Sequence, residues 1–446
     1  MKRGDAVSGL TAAGPPRPGA RRPHRPVRRR PARAAGTLWR IAVGEVAAAI
    51  ALAVTLPRLE RYLGWHALVG YDAGAAQATL AAIAGGMITL TGFVLTAVTL
   101  IVQTIQGQSP RLLQVLDRTD RTPLLFGTFM ATFTFALLVL GQVRGNAVPD
   151  VSVTISVLLV LVSACLFLRL LVTFRTALTT GGLVRTVGGE LRKQIDILYQ
   201  AEYVPSAPYG EGGDAAAAAG PRWQLAHQGQ PGVFQALDER SAVRLAAAGG
   251  AEIRYIPAIG DFIVTGAPLA TGSGPPPAAA ALARTVRVGP YRTLEQDPAY
   301  GVRVLVDIAI RALSPAINDP TSAVQALDQI DDVLHRLAHR ALGDGLLADE
   351  AGTVRVRFPA PRWDMFVALA FDEIIMYGAG SLQVARRLHA LLTDLLATAP
   401  PGRREVVADR LATLRRLVHR AQSDPALATE AMRSDRQGIG SPRGDG

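Results

Sequence analysis

The stretch Asp297 to Leu334 reads DPAYGVRVLVDIAIRALSPAINDPTSAVQALDQIDDVL, and it sets the architecture of the C-terminal half. Between Gly301 and Leu313 the residues are apolar except for Arg303, Asp307 and Arg311, which recur every four positions and so share one stripe of a helix. A helix that is apolar on its other sides is a buried one. Its polar stripe, a carboxylate between two guanidinium groups, has to be satisfied inside the protein or at a wet cleft, because unpaired buried charge is strongly unfavourable. Ser314-Pro315 ends this helix, since the residue before a proline is pushed out of the helical region. Asn318-Asp319-Pro320 then launches a second helix to about Arg340. Two start signals compete upstream of the first: Thr293-Leu294-Glu295-Gln296 fits a capping box, and Asp297-Pro298 fits an N-cap followed by proline.

The chain of 446 residues is 49% hydrophobic with a formal net charge of +11, and its mean hydropathy is +0.23. It is too apolar for an ordinary soluble protein and long enough for more than one domain. Four segments can span a hydrocarbon core of roughly 30 Å. They run over about 38–56, 76–102, 123–141 and 151–174. The positive-inside rule puts both termini in the cytoplasm, because the arginine-rich stretches precede the first span, link the second to the third, and follow the fourth. Residues 1–37, with Arg21-Arg22 and Arg28-Arg29-Arg30, form a basic arm expected to be disordered, which acts as a topogenic flank or contacts anionic lipid on the cytoplasmic leaflet. No nucleic acid partner is expected. The location that follows is the inner (cytoplasmic) membrane, multi-pass.

Within the spans the ionisable Glu45 and Arg169 lie near predicted cytoplasmic ends, where side chains snorkel. The second span carries Gly85, Thr89, Gly92 and Thr96, small residues at the spacing that lets helices approach closely. They pack helices within the bundle or between the subunits of a homo-oligomer, or else line a permeation path. Beyond Phe174 an amphipathic stalk is expected over 175–204, then a low-complexity linker over 205–221. A cytoplasmic α+β domain follows over 222–423, mostly helical with a small β module, and a mobile tail over 424–446. Its strands are expected at Gly232 to Leu237, Glu252 to Ile256, Asp261 to Val264 and Thr353 to Phe358. Further helices are expected near Trp363 to Gly378, Ser381 to Ala397 and Arg403 to Ser423.

Several chemistries are excluded. Of the 47 basic residues only Lys2 and Lys193 are lysines, so the C-terminal domain holds no Schiff-base, P-loop or biotinyl lysine. The one cysteine, Cys165, excludes an intrachain disulfide and a cysteine-based zinc site. No cofactor is expected. His335 and His339, with Asp331 one turn earlier, have metal-ligand spacing, but no HExxH motif surrounds them and they read as a solvated face. Asp372 and Glu373 sit within the apolar VALAFDEIIMYG as buried or interfacial acids, one of which would pair with Arg362 or with the central arginines.

Four strings together carry a resemblance. GQSPRLL at Gly107 to Leu113, IPAIGDFIVTGAPL at Ile256 to Leu269, RTLEQDPAYGVRVLVDIA and RALSPAINDPTSAVQALDQI resemble the bacterial predicted membrane proteins of domain of unknown function family 2254. The resemblance implies an integral membrane protein with a cytoplasmic C-terminal domain, and no activity. The residues that gather polar density around the helix, break and second helix are Arg292, Glu295, Gln296, Asp297, Arg303, Asp307, Arg311, Ser314, Asn318 and Asp319. The break offers free backbone N–H groups to an anion. The same residues also read as caps, a turn and an internal ion triad. The expectation is a membrane-anchored module that binds a ligand or partner, with a channel or transporter subunit as the alternative and an enzyme as the weakest class, since no catalytic motif is present.

Overall fold

The computed structural model describes residues 33–64, 70–108, 111, 122–144, 148–177, 179–204, 222–343 and 345–440. The expectations for the N-terminal arm, most of the loop after the second span and the linker after residue 204 fall outside these residues. The chain divides into two compact units at Leu183/Val184.

The N-terminal unit contains the four helices long and apolar enough to cross a membrane: α1 (Arg33–Leu63), α2 (Ala73–Gln108), α3 (Thr122–Leu140) and α4 (Asp150–Ala177). α3 is the most enclosed, with Phe129, Phe135, Ala136 and Val139 fully buried. Gly127 lets α1 lie against it, since a Cβ there would stand 2.7 Å from the Ala42 Cα. Few polar groups enter this interior, and those that do are paired: Thr132 Oγ1 lies 3.3 Å from Ser163 Oγ, and Thr128 Oγ1 donates to Glu45 at 3.3 Å.

Sequence pattern ends the first span at Leu56, yet α1 continues through Pro57 to Leu63. Proline has no N–H to donate to the carbonyl four residues back. That carbonyl is Ala53 O, and Gln142 Nε2 donates to it at 2.7 Å from the end of α3. One turn past the proline, the buried carboxylate of Glu60 accepts from Val151 N at 3.2 Å and from Ser152 Oγ, filling the N-terminus of α4.

The helical stalk expected to run on from the fourth span is broken. α4 ends at Ala177, and α5 (Thr180–Leu198) begins after it. Its buried face, Val184, Val187, Leu191 and Ile195, is part of the core of the second unit. A Cβ on Gly188 would strike Gln329, and one on Gly301 would lie 2.8 Å from Leu191 Cδ1, so both glycines are needed for close packing.

The second unit has a β module and a helical layer. Its strands are β1 (Arg222–Ala226), β2 (Gly232–Leu237), β3 (Glu252–Tyr255), β4 (Phe262–Ile263), β5 (Pro268–Ser273), β6 (Val286–Gly289), β7 (Leu346–Ala348) and β8 (Val354–Arg357). One sheet has the order β1-β5-β3-β8-β7 and the other β4-β2-β6. Among the described residues only β3 and β8 pair in parallel. Helices α6 (Glu239–Ala248) and α7 (Ala279–Ala283) complete this part, and Phe234, Tyr255, Ile253, Leu347 and Val356 centre its core. The helical layer comprises α8 (Pro298–Ala312), α9 (Pro320–Ala338), α10 (Trp363–Gly378), α11 (Leu382–Thr398), α12 (Arg404–Ala421) and α13 (Pro425–Ala431). α8 is enclosed by α9 and α10.

The tail expected to be mobile is ordered as far as Gly440. α13 packs on α11 and α12, and the carboxylate of Asp435, 1% exposed, gathers the loop after it. Asp435 accepts from Gln437 N at 3.0 Å, Gly438 N at 2.8 Å and Gly440 N at 2.6 Å. Gly438 and Gly440 both have φ above +70°, a region open to glycine that lets the chain wrap around one side chain. Terminal position reads as mobility, and here a buried acceptor holds the loop in place.

Candidate functional site

α8 starts at Asp297, as the Asp-Pro signal requires: its Oδ1 accepts from Tyr300 N at 3.0 Å. Oδ2 takes the Arg292 guanidinium, at 2.8 Å from Nε and 2.7 Å from Nη2. Burial pushes the Asp297 carboxyl above the usual aspartate value, and the Arg292 charge opposes that shift. The guanidinium also lies 5.6 Å from the centre of the Tyr300 ring. Gly260, at φ +101°, faces this pair, and a Cβ there would collide with both side chains.

Gln296 behaves as a strand partner. Its Oε1 accepts from Leu237 N at 2.9 Å and its Nε2 donates to Leu237 O at 3.1 Å, so one side chain satisfies both backbone groups at the end of β2. Glu295, nearly buried, pairs with Arg287 of β6. Thr293 is buried without capping the helix.

In the middle of α8, Arg303 Nε donates to Asp307 Oδ1 at 2.7 Å, and its two terminal nitrogens engage both carboxylate oxygens of Glu373 on α10, one at 3.0 Å. This bidentate geometry is among the strongest a guanidinium makes. The hydrogen bonds that Arg303 donates to Glu373 hold its pKa above the ordinary value, ahead of the charge of Asp307. The network is not sealed: side-chain exposures are 24% for Arg303, 16% for Asp307 and 41% for Glu373.

The three-residue stripe therefore divides. Arg311 falls in the last turn of α8, exposed and outside this network. Ser314, Asn318 and Asp319 build the turn to α9. Asn318, at φ +47°, donates its N–H to Ser314 O at 2.8 Å, and Asp319 caps α9 by accepting from Ser322 N at 3.1 Å. Nine of the ten sequence candidates thus fall into an Arg292/Asp297 pair, a Gln296 bridge, an Arg287/Glu295 pair, an Arg303/Asp307/Glu373 network and a capped turn, and Arg311 stands apart. The sequence offers Glu373 only as a pair for Arg362 or a central arginine, and it gives no signal of the roles of Gly260 and Arg287. Asp372 pairs instead with Arg410, at 3.0 Å, and Arg362 with Asp364, at 2.6 Å.

On α9 the Nδ1 atoms of His335 and His339 each lie 3.0 Å from the carbonyl oxygen four residues back. The Asp331 carboxylate is shared between His335 and the buried Arg387. Among the described residues no three metal-ligating side chains converge. The two histidines line an open cleft of about 570 Å³ with Glu202, Tyr203, Asp332, Arg336 and Arg340. Charges of both signs are mutually paired there: Asp196 faces Arg336 at 3.5 Å and Arg340 at 3.4 Å.

In the membrane unit, Gly85, Thr89, Gly92 and Thr96 all lie on the outside of α2. Each of the two threonine hydroxyls donates to the carbonyl four residues back, at 2.9 Å and 3.1 Å.

The family model of predicted membrane proteins known as DUF2254 matches residues 35–394. The chain belongs to this family. The DUF2254 match takes in all four apolar helices, the β module and both helices of the candidate site. Among curated relatives, the uncharacterized protein Rv1290c of Mycobacterium tuberculosis is 30% identical over 377 residues, covering 79% of this chain and 70% of its own. The uncharacterized protein Mb1321c of Mycobacterium bovis matches with the same identity and coverage. No solved structure matches the chain. The protein is an integral membrane protein with apolar helices in contact with the bilayer, and neither the family nor these relatives supply an activity.

Proposed function

We propose that this protein is a membrane-anchored module whose α+β unit lies in the cytoplasm and binds a ligand or protein partner, while the four helices hold it in the inner membrane with both termini inside. The observation that carries this reading is the half-open Arg303/Asp307/Glu373 network. Beside it, one turn further along α10 from Glu373, stand the exposed side chains of Met376 and Tyr377. Arginine, methionine and tyrosine are the residues enriched where proteins recognise partners. An arginine locked in its charged form by two carboxylates recognises; it does not shuttle protons. The basic arm adds contact with anionic lipid, and the protein works as a homo-oligomer.

The test is thermal unfolding of the detergent-solubilised chain with a panel of anions and metabolites, wild type against Asp307→Asn. A folded mutant that loses a ligand-induced rise in unfolding temperature supports a binding site. A collapsed mutant together with a wild type that responds to nothing makes the network structural and ends the proposal. A second reading, a channel or transporter subunit, draws on the threonines and glycines of α2, and ion or solute flux in proteoliposomes tests it.

A further inference from the structure

Helices α8, α10 and α12 end on the same side of the helical layer, where α9, α11 and α13 begin. A Cβ on Gly378, the last residue of α10, would lie 3.5 Å from Leu313 Cδ1, just past α8. Gln422, just past α12, donates from Nε2 to Gly380 O, just past α10, at 3.1 Å. The three turns therefore make one surface. Four large apolar side chains stand on it: Ile317 is 45% exposed, Met376 62%, Tyr377 51% and Leu427 43%. Arg311 in the last turn of α8, and Arg416, His419 and Arg420 toward the end of α12, are exposed at the same helix ends.

The charges of this surface are uncommitted. Elsewhere in the layer arginines are held by carboxylates, as Arg303 is by Glu373, Arg387 by Asp328 and Asp331, and Arg410 by Asp372. Among the described residues Arg311, Arg416 and Arg420 form no ion pair; Arg416 donates only to the Thr413 hydroxyl, at 2.9 Å. The two carboxylates in these turns are turned onto backbone: Asp319 accepts from Ser322 N at 3.1 Å and Asp424 from Ala426 N at 2.8 Å. The negative ends of α8 and α12 favour cations, which accounts for basic residues in their last turns. It does not account for the apolar side chains exposed with them, and a surface of mixed apolar and uncommitted basic groups is one that something else covers.

We infer that this end of the helical layer docks on the anionic surface of the bilayer that holds the chain. Ile317, Met376 and Leu427 enter the boundary between headgroups and acyl chains, and Arg311, Arg416 and Arg420 meet the phosphates. Charge complementarity selects lipid: a guanidinium fork without a carboxylate fits a phosphate ester, and the anionic leaflet supplies many of them in one plane. Apolar and basic groups presented together are also what an interfacial contact uses, and Tyr377, with an apolar ring and a polar tip, suits the headgroup level. The transmembrane anchor keeps this surface at a high effective concentration, so a contact too weak to hold a free protein persists here. The inference rests on the binding reading above, because Met376 and Tyr377 border the Arg303 network, and it names anionic phospholipid where that reading leaves the partner open.

Fluorescence quenching of the full chain in nanodiscs tests it. In a Cys165→Ser background, single cysteines replace Ile317, Met376 or Leu427, with exposed Glu405 at the opposite end of the layer as control, and each carries an environment-sensitive fluorophore. The discs contain phosphatidylcholine alone or mixed with phosphatidylglycerol, and spin-labelled lipid is the quencher. The expected result is strong quenching at the three turn positions in anionic discs, little at Glu405, and a clear loss in phosphatidylcholine alone. Arg416→Gln and Arg420→Gln, both on the surface and so without consequence for folding, should lower the docked population by roughly fivefold each. Quenching no greater at the turns than at Glu405, or indifferent to phosphatidylglycerol and to both arginines, would overturn the inference. If a soluble anion still raised the unfolding temperature in an Asp307-dependent way, the binding reading would stand without lipid as its partner. If a protein cross-linked to the turn cysteines while lipid failed to quench them, a protein would take the place of the bilayer and the inference would again fall.

Discussion

Replacing Gln142 with leucine removes the donor that stands in for the missing N–H of Pro57. Ala53 is fully buried, so its carbonyl has no water to turn to. An unsatisfied buried backbone acceptor costs about 1–3 kcal/mol, and the apolar surroundings of a membrane helix put the effect toward the upper end of that range. The second bond of the same nitrogen, to Leu138 O at 3.2 Å, lies on a carbonyl at the end of α3 and adds little. The decisive experiment is a double-mutant cycle with Pro57→Ala, which restores a backbone N–H to Ala53 O and makes Gln142 redundant. Reversible unfolding in mixed micelles should give a loss of about 2 kcal/mol for Gln142→Leu alone. In the Pro57→Ala background the same change should be within about 0.5 kcal/mol of neutral. Equal losses in both backgrounds would refute the idea that the glutamine completes the proline break.

The Arg303 network is half exposed, so Asp307→Asn should cost about 2 kcal/mol, between the values for exposed and buried pairs, measured by chemical unfolding of the full chain. Asp435→Ala leaves three backbone donors without their acceptor; proteolysis should then trim the chain after α13 while the rest resists, and an unchanged digestion pattern would count against the buried carboxylate as the anchor. His335 is raised above its ordinary 6.5, first by its bond to Asp331. Its stabilisation is therefore full below pH 6.5 and is lost as pH rises through the folded value. His389 is lowered, first by burial and then by Arg415, so it removes stability as pH falls below 6.5. Unfolding followed from pH 5.5 to 8 should lose less stability above pH 6.5 with His335→Gln and less stability below pH 6.5 with His389→Gln.

The features legible in the sequence are those that local physics fixes. Asp297-Pro298 and Asp319-Pro320 announced both helix starts, and α10 spans the residues expected of it, because caps and apolar periodicity act over a few residues. What escaped reading depends on distant partners. Nothing near Pro57 reveals that Gln142, 85 residues away, will let α1 continue. Regular spacing grouped Arg303, Asp307 and Arg311, yet the strongest partner of Arg303 comes from α10, and Arg311 turns outward at the helix end. β1, β5, β6 and β7 are short and weakly patterned, and they exist because neighbouring strands pair with them. The order of the C-terminal segment depends on one aspartate whose burial no composition rule shows.

α2 holds 36 residues, about 54 Å at the usual rise, against a hydrocarbon core of roughly 30 Å. The surplus must be taken up by tilting or by projecting from the bilayer. Membrane thickness thereby acquires a mechanical grip on this helix. Lipids with longer acyl chains enclose more of its length in an apolar medium, where exposed hydroxyls and amides are least tolerated, and so favour burying them against another protein surface. The same chain is then expected to associate differently in thin and thick membranes, with no change in its sequence or concentration.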